Sequence, residues 1–232
     1  AIDIKQSSNI MIRNIKFDEL WEWDEQTSGD YDVNDWDYMT IENASTGIWI
    51  DHCTFYKSYD GVIDMKTDMQ HDTEMDITVS WCEFLPGSED NIFFNEMMDY
   101  LDKNVDDCPY YKSLLDAGMS KSQIWWYAYG QKKTHLLGQN DETSTNENLK
   151  VTFANNYYYN SMDRMPRVRF GTAHVYNCMI SSQELANARA SIANENAAKH
   201  IVSNGASSTC GAHVLMENSV IDGVTNALNS GN

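Results

Sequence analysis

Basic side chains are scarce in this chain: Lys plus Arg number 16 against 35 Asp plus Glu, a net charge of −19. Phosphate backbones are bound through a basic footprint, so nucleic acid is excluded as the expected partner. Long apolar runs are missing as well. None approaches the ~18 residues of a membrane-crossing helix, and no membrane partner is expected. No signal-peptide pattern opens the chain, which reads as the mature form or a cut fragment of a secreted, soluble, monomeric domain. Five cysteines are too few to define a disulfide framework by count. Cys178 and Cys210 are a candidate bridge and Cys108 is left over. Cys53 and Cys82 read better as stacked thiols, for the reason that follows.

What the chain does have is one strand-like phrase repeated six times: Ile12 to Phe17, Ile50 to Phe55, Val79 to Phe84, Phe153 to Tyr158, Val175 to Ile180 and Met216 to Ile221. Aligned on the third residue, the copies place Asn14, His52, Trp81, Asn155, Asn177 and Asn218 in one column. The next column reads Ile15, Cys53, Cys82, Asn156, Cys178 and Ser219, and the sixth position is Phe17, Phe55, Phe84, Tyr158, Ile180 or Ile221. Columns of this kind are side-chain ladders of a solenoid that stacks one strand per coil. Successive third residues lie 38, 29, 74, 22 and 41 apart. A basic coil of about 20 to 30 residues with β-branched and aromatic strands predicts a parallel β-helix, the longer gaps holding insertions or skipped coils. Thr40-Ile41, Val62-Ile63 and Leu136-Leu137 would supply further faces. Helical repeats fit poorly, because the phrases alternate with period two.

The chain therefore reads as one domain over residues 1–232 with two interruptions. Residues 85–130 hold an amphipathic helical stretch, Ile92 to Leu101, and the aromatic cluster Trp125-Trp126-Tyr127. Residues 182–200, rich in Ala, Asn and Glu, predict a second helical insertion. Such loops often shape a binding face, and Trp125, Trp126, Trp21, Trp23 and Trp36 could either stack on a ligand or fill a local core. The chain opens inside a coil, whereas a β-helix needs a cap on its open edge, so N-terminal coils or a cap are expected to be lacking.

Charge is clustered. Arg164-Met165-Pro166-Arg167-Val168-Arg169 places three guanidiniums in six residues, and Lys132-Lys133 adds two ammoniums. On a strand Arg167 and Arg169 face the same way, with Pro166 marking a bend after Arg164. Asp35 and Asp37 flank Trp36 with the same parity, and Asp60 and Asp64 bracket Gly61-Val62-Ile63. Carboxylates gathered from neighbouring coils make a hard oxygen site suited to calcium. Hydrated acidic loops and a solvated basic patch are the plainer alternatives.

These residues carry a resemblance. Trp49-Ile50-Asp51-His52-Cys53-Thr54-Phe55, Asp60-Gly61-Val62-Ile63-Asp64-Met65-Lys66, Ile77-Thr78-Val79-Ser80-Trp81-Cys82 and above all Arg164 to Gly171, followed by Ala173-His174-Val175-Tyr176-Asn177, resemble the pectate lyase family, polysaccharide lyase family 1. The resemblance runs from about Asn9 to Asn177 and implies a right-handed parallel β-helix. It implies that Asp37, Asp60 and Asp64, with Asp35 as in some members, ligate Ca²⁺, and that Arg164 is the catalytic base. Lys133 and Arg169 would hold the substrate carboxylate, with Lys66 as a further substrate-binding lysine. His52 and Asp51 belong to a family signature, but their ladder position points to a structural role.

The implied reaction is β-elimination in α-1,4-linked polygalacturonate. Removing the C5 proton puts negative charge beside a carboxylate, which calcium, Lys133 and Arg169 would stabilise. A guanidinium is normally no proton acceptor, so an alkaline optimum is expected. Two alternatives stand beside this one. Pectin lyase, which acts on methyl-esterified chains without calcium, typically lacks the aspartates that are present here. A non-catalytic β-helix serving as a carbohydrate-binding module would have no need of Lys133, Arg164 and Arg169.

Overall fold

Each copy of the repeated phrase turns one corner of a coil. In the computed structural model, which describes residues 1–87 and 91–231, the six residues of the first column all have positive φ, between 49° and 58°. Asparagine tolerates this left-handed conformation better than other residues with a side chain, which explains why four of the six are Asn. His52 and Trp81 adopt it too, and their rings stack with centroids 5.9 Å apart. One residue later the chain points inward: Cys53, Cys82, Asn156 and Cys178 are buried. Asn156 satisfies its amide there by accepting from the Cys82 N–H (2.9 Å) and donating to the Val79 carbonyl (2.9 Å). The sixth column is an aromatic stack, Phe17 on Phe55 at 4.6 Å, Phe55 on Phe84 at 5.2 Å and Phe84 on Tyr158 at 4.7 Å.

Three parallel sheets run along the molecule, forming a right-handed parallel β-helix. The first contains Ile2–Lys5, Met39–Glu42, Ile63–Lys66, Leu136–Leu137, Arg167–Arg169, Asn204–Thr209 and Asn226–Ser230 in spatial order. The second runs from Ser8–Arg13 through Thr46–Asp51, Met75–Ser80, Leu149–Ala154 and Thr172–Tyr176 to His213–Glu217, and the third joins the short strands that follow each turn. Consecutive copies of the phrase are always hydrogen-bonded neighbours, so no coil is skipped and the long gaps are insertions. Inward residues such as Met39, Ile63, Leu137 and Val168 fill the bore.

The gap of 74 residues holds helices α1 (Ile92–Lys103), α2 (Pro109–Asp116) and α3 (Lys121–Tyr129). The gap of 41 holds α4 (Gln183–Ala190) and α5 (Glu195–Ala198). Ser120 and Gln123 form a reciprocal capping box that starts α3. The helices bury a second core against Trp21, Trp23, Tyr31 and Tyr59. Trp21 and Trp23 are thus packing residues rather than ligand platforms, while Trp36 stays 40% exposed.

All five cysteines are free, which corrects the expected Cys178–Cys210 bridge. Cys178 turns into the bore between the second and third sheets, its thiol directed at the Phe153 and Tyr176 carbonyls. Cys210 lies at a different corner, on the turn from the first sheet to the second, so the ladder keeps the two thiols apart.

Phe84 sits between Phe55 and Tyr158 with His135 edge-on at 4.7 Å. Phe84→Ala is expected to lower unfolding stability by about 3 to 5 kcal/mol, read from urea denaturation; a loss below about 1 kcal/mol would show that the stack is not a structural spine.

Candidate active site

The outward face of the first sheet collects the charged residues. A long loop, residues 18–38, precedes Met39–Glu42, and its shape is set by the buried Asp24 carboxylate, which accepts from the backbone N–H of Thr27 (2.9 Å) and Tyr31 (2.8 Å). The Tyr31 ring is thereby buried against Tyr59, 5.0 Å between centroids, and Tyr59 supports Trp36 at 5.4 Å. This brings Asp35 and Asp37 beside the turn that carries Asp60. One carboxylate oxygen from each of Asp35, Asp37 and Asp60 lies within 4.8 Å of the others.

Asp64 joins them through Gly61. Gly61 N–H donates to Asp37 Oδ1 (2.7 Å), and a Cβ on Gly61 would lie 2.6 Å from Asp64 Oδ1 and 2.7 Å from Asp37 Oδ1. Only glycine leaves room for two carboxylates to converge on this backbone. Asp64 Oδ1 also accepts from the Leu136 N–H at 3.2 Å.

The cations come from the next coils. Lys133 Nζ forms an ion pair with Asp60 Oδ1 at 2.8 Å and donates to the Tyr31 carbonyl at 2.9 Å. Arg164 has φ of 65° at the turn before Arg167–Arg169. Its charge acts on Asp37, Asp60 and Asp64, and its buried Nε has no hydrogen-bond partner among the described residues. Arg169 is set apart from the cluster: Nε donates to Asp141 (2.7 Å) and Nη1 to the Gly138 carbonyl (2.9 Å). Lys66 occupies the same outward row, beside Glu42, and forms no ion pair among the described residues.

Several contributors were not visible in the sequence. Gln131 is buried and ties the two site segments together: Oε1 accepts from Ser58 N–H (2.9 Å), while Nε2 donates to Ser58 Oγ (2.7 Å) and the Lys133 carbonyl (2.8 Å), with the Asp60 carbonyl sharing a hydrogen at 3.1 Å. Its place two residues before Lys133 was the available signal. Gly61, the Tyr31 carbonyl and Asp141 act through folded geometry alone.

Electrostatically the cluster lacks positive charge. Burial, then Asp60 and Asp35, raises the Asp37 carboxyl to about 6. Burial, then Asp37, pushes Asp64 well above the ordinary carboxylate range. Asp60 is also raised by burial, with Lys133 pulling the other way. Crowded carboxylates on a backbone that only glycine permits could hold a hard, oxygen-preferring divalent cation.

In metal-free buffer the sign of the pH dependence follows. Between 3.8 and about 6 the folded Asp37 holds a proton that the unfolded chain has released. Its stabilising contribution is full below the lower value and lost as pH rises through the upper one. Asp37→Asn should therefore gain on the wild type by on the order of 2 kcal/mol from about pH 4 to about pH 7, measured as the difference between urea unfolding free energies in chelator. The buried His135, held down to about 3, works in the opposite direction but is common to both proteins. Parallel pH curves for the two would refute the assignment.

Known proteins were compared with this arrangement. A family model described as pectate lyase matches residues 1–83 and 121–229, skipping the segment that holds α1 and α2. Pectate lyase B of Paenibacillus amylolyticus is 43% identical over 236 residues, covering 97% of this chain and 59% of that protein. The pectate trisaccharide-lyase of Thermotoga maritima is 32% identical over 177 residues, covering 75% of this chain and 34% of the relative. A solved pectate lyase from Paenibacillus sp. 0602 superimposes with a TM-score of 0.85 at 41% identity, over 95% of this chain and 51% of that one. The chain thus spans between about a third and three-fifths of the length of these proteins. On the strength of the family match over most of its length, the chain belongs to the pectate lyase family.

Proposed function

We propose that this chain is the catalytic β-helix of a calcium-dependent pectate lyase, cleaving α-1,4-linked polygalacturonate by β-elimination to 4,5-unsaturated oligogalacturonates. The observation that carries the reading is the meeting, on one corner of the first sheet, of Asp35, Asp37, Asp60 and Asp64 with Lys133 and Arg164. The names of the similar proteins agree with it.

Asp37, Asp60 and Asp64, with Asp35 at the exposed rim, would hold Ca²⁺. When bound, the ion supplies positive charge next to the substrate carboxylate, where the reaction accumulates negative charge. Gln131 holds the Lys133 backbone carbonyl and the Tyr31 carbonyl holds its ammonium, so the cation is placed beside the carboxylates before a uronate would arrive. Arg169 would hold the same carboxylate, exchanging the exposed Asp141 for it, and Lys66 lies along the same row for a neighbouring contact. Arg164 would take the C5 proton through its terminal nitrogens, since its Nε is buried. A guanidinium gives up its own proton only at high pH, so an alkaline optimum follows. Elimination then expels the C4 oxygen and leaves the double bond. The retained aspartates disfavour a calcium-independent pectin lyase, and the grouping of Lys133 and Arg164 with them disfavours a non-catalytic binding module.

Every group of the site comes from one chain, so a monomer suffices. A polymer too large to enter a cell places the activity outside it, as a secreted enzyme. Among the described residues no helix is long and apolar enough to cross a membrane.

Ultraviolet absorbance of the unsaturated product tests the reading, with polygalacturonate and methylated pectin each assayed in calcium and in chelator. Activity on polygalacturonate that chelator abolishes is expected, and Arg164→Ala should lose about 10² to 10⁴-fold in kcat with an unchanged melting midpoint. Activity indifferent to chelator, or an acidic optimum, would overturn it. Calcium should raise the melting midpoint of the wild type and leave that of Asp60→Asn nearly unmoved.

A further inference from the structure

Arg167 is a basic residue of the site face to which the proposed reaction gives no role, and unlike Lys5, paired with Glu42, it has no ion-pair partner among the described residues. It lies on the outward side of Arg167–Arg169, in the row that continues from Asp64 through Leu136 to Ser207 and Asn229. Its side chain is half-buried, yet it makes no hydrogen bond or ion pair with any described residue. Burial and the neighbouring Arg169 both disfavour its charge, and Asp163 and Asp141 act on it only at longer range. A partly desolvated guanidinium without an acid partner is unusual, because such charges are normally paired. It is more so in a protein with 35 acidic residues. With no carboxylate in direct contact among the described residues, the guanidinium is open to an anionic group from outside.

The surroundings say what kind of group. Arg167 lines a shallow concavity with Asp141, Thr209, Cys210, Gly211 and Gly231, all but Asp141 on the later coils. The carboxylate cluster lies on the other side, on the earlier coils. Ser207 and Asn229, next along the row, offer neutral hydrogen-bonding groups of the kind that suit sugar hydroxyls. Adjacent strands lie about 4.8 Å apart, so this concavity is within reach of a polymer whose reacting unit sits at Arg164.

Building on the lyase reading, we propose that Arg167 is a substrate-binding residue that takes the carboxylate of a second uronate, on the later-coil side of the reacting one. A planar guanidinium matches a carboxylate in a bidentate way that an ammonium does not. Arg167 would then set how strongly the enzyme prefers long, unesterified chains.

Steady-state kinetics of Arg167→Gln and Arg167→Lys on polygalacturonate and on short oligogalacturonates test this. Arg167→Gln should raise KM for polygalacturonate about tenfold, with kcat within about twofold and the melting midpoint unchanged. The penalty should shrink on the shortest cleavable oligomer, and Arg167→Lys should recover part of the loss. An unchanged KM, or the same fold-loss on every chain length, would overturn the proposal, since a merely structural role would not distinguish lengths. If the wild type showed no elimination at all, the lyase reading would fall. Equilibrium binding of polygalacturonate would then decide Arg167 separately: about tenfold weaker in Arg167→Gln supports it, and equal binding refutes it.

Discussion

Vertical register governs this molecule. In a parallel coil each side chain lies about 4.8 Å from its counterpart in the next coil, so every column must be compatible with itself. Aromatic rings meet that condition by stacking, as Phe17, Phe55, Phe84 and Tyr158 do. Asparagines meet it by repeating one left-handed turn, and Asn177 Nδ2 donates to Asn155 Oδ1 from coil to coil. Carboxylates do not meet it, because like charges at that spacing repel. Where Asp37 and Asp60 are nonetheless brought together, their protons are held more tightly, and the ladders supply the rigidity that keeps the site intact. The acidic corner thus breaks the stacking rule, and the breach coincides with the proposed metal site.

The same rule explains what could be read from the sequence. A column that repeats six times announces its corner, its inward neighbour and its aromatic spine, and all three take those positions in the fold. Strand parity was enough to put Asp35 with Asp37, and Asp60 with Asp64. Parity could not show that these two pairs converge, because that depends on the path of a long loop pinned by Asp24 and on the missing side chain of Gly61. Gln131 was invisible for a related reason. A buried amide that binds two segments gains its meaning only when both are in place. The Cys178–Cys210 pairing failed because sequence shows that two thiols exist and not which corner of the coil each one occupies.

The helical layer is less detachable than its absence from the repeat suggests. Its rings cover Trp21, Trp23 and Tyr31, on the loop that goes on to deliver Asp35 and Asp37. Two buried lysines fasten it to the coil. Lys57 Nζ donates to the Tyr129 and Gly130 carbonyls at the end of α3, and Lys132 Nζ donates to the Tyr127 carbonyl while lying over the Tyr127 ring. Burial pushes both ammoniums well below their ordinary range, since no carboxylate among the described residues neutralises them. The helix terminus offers only partial negative charge in compensation. Lys132 directly precedes Lys133, so the anchor of the layer and the proposed substrate lysine share one short segment, and the layer contributes to placing the candidate site.

Overall charge and local charge then have separate tasks. Lys5, Lys66, Lys133, Arg164, Arg167 and Arg169 all lie on or beside one sheet face, out of only 16 basic residues. At physiological ionic strength a charge is screened within about 8 Å, a distance shorter than the width of the molecule. The acidic surplus on other faces would therefore do little to the proposed polyanion once it is seated, and contact would be decided by the few groups that touch it. Among those groups the crowded carboxylates suit the proposed cation, and Arg167, with no ion pair among the described residues, suits the proposed anion. A polymer of uronates joined to a divalent cation would satisfy both together, whereas a neutral polysaccharide would satisfy neither.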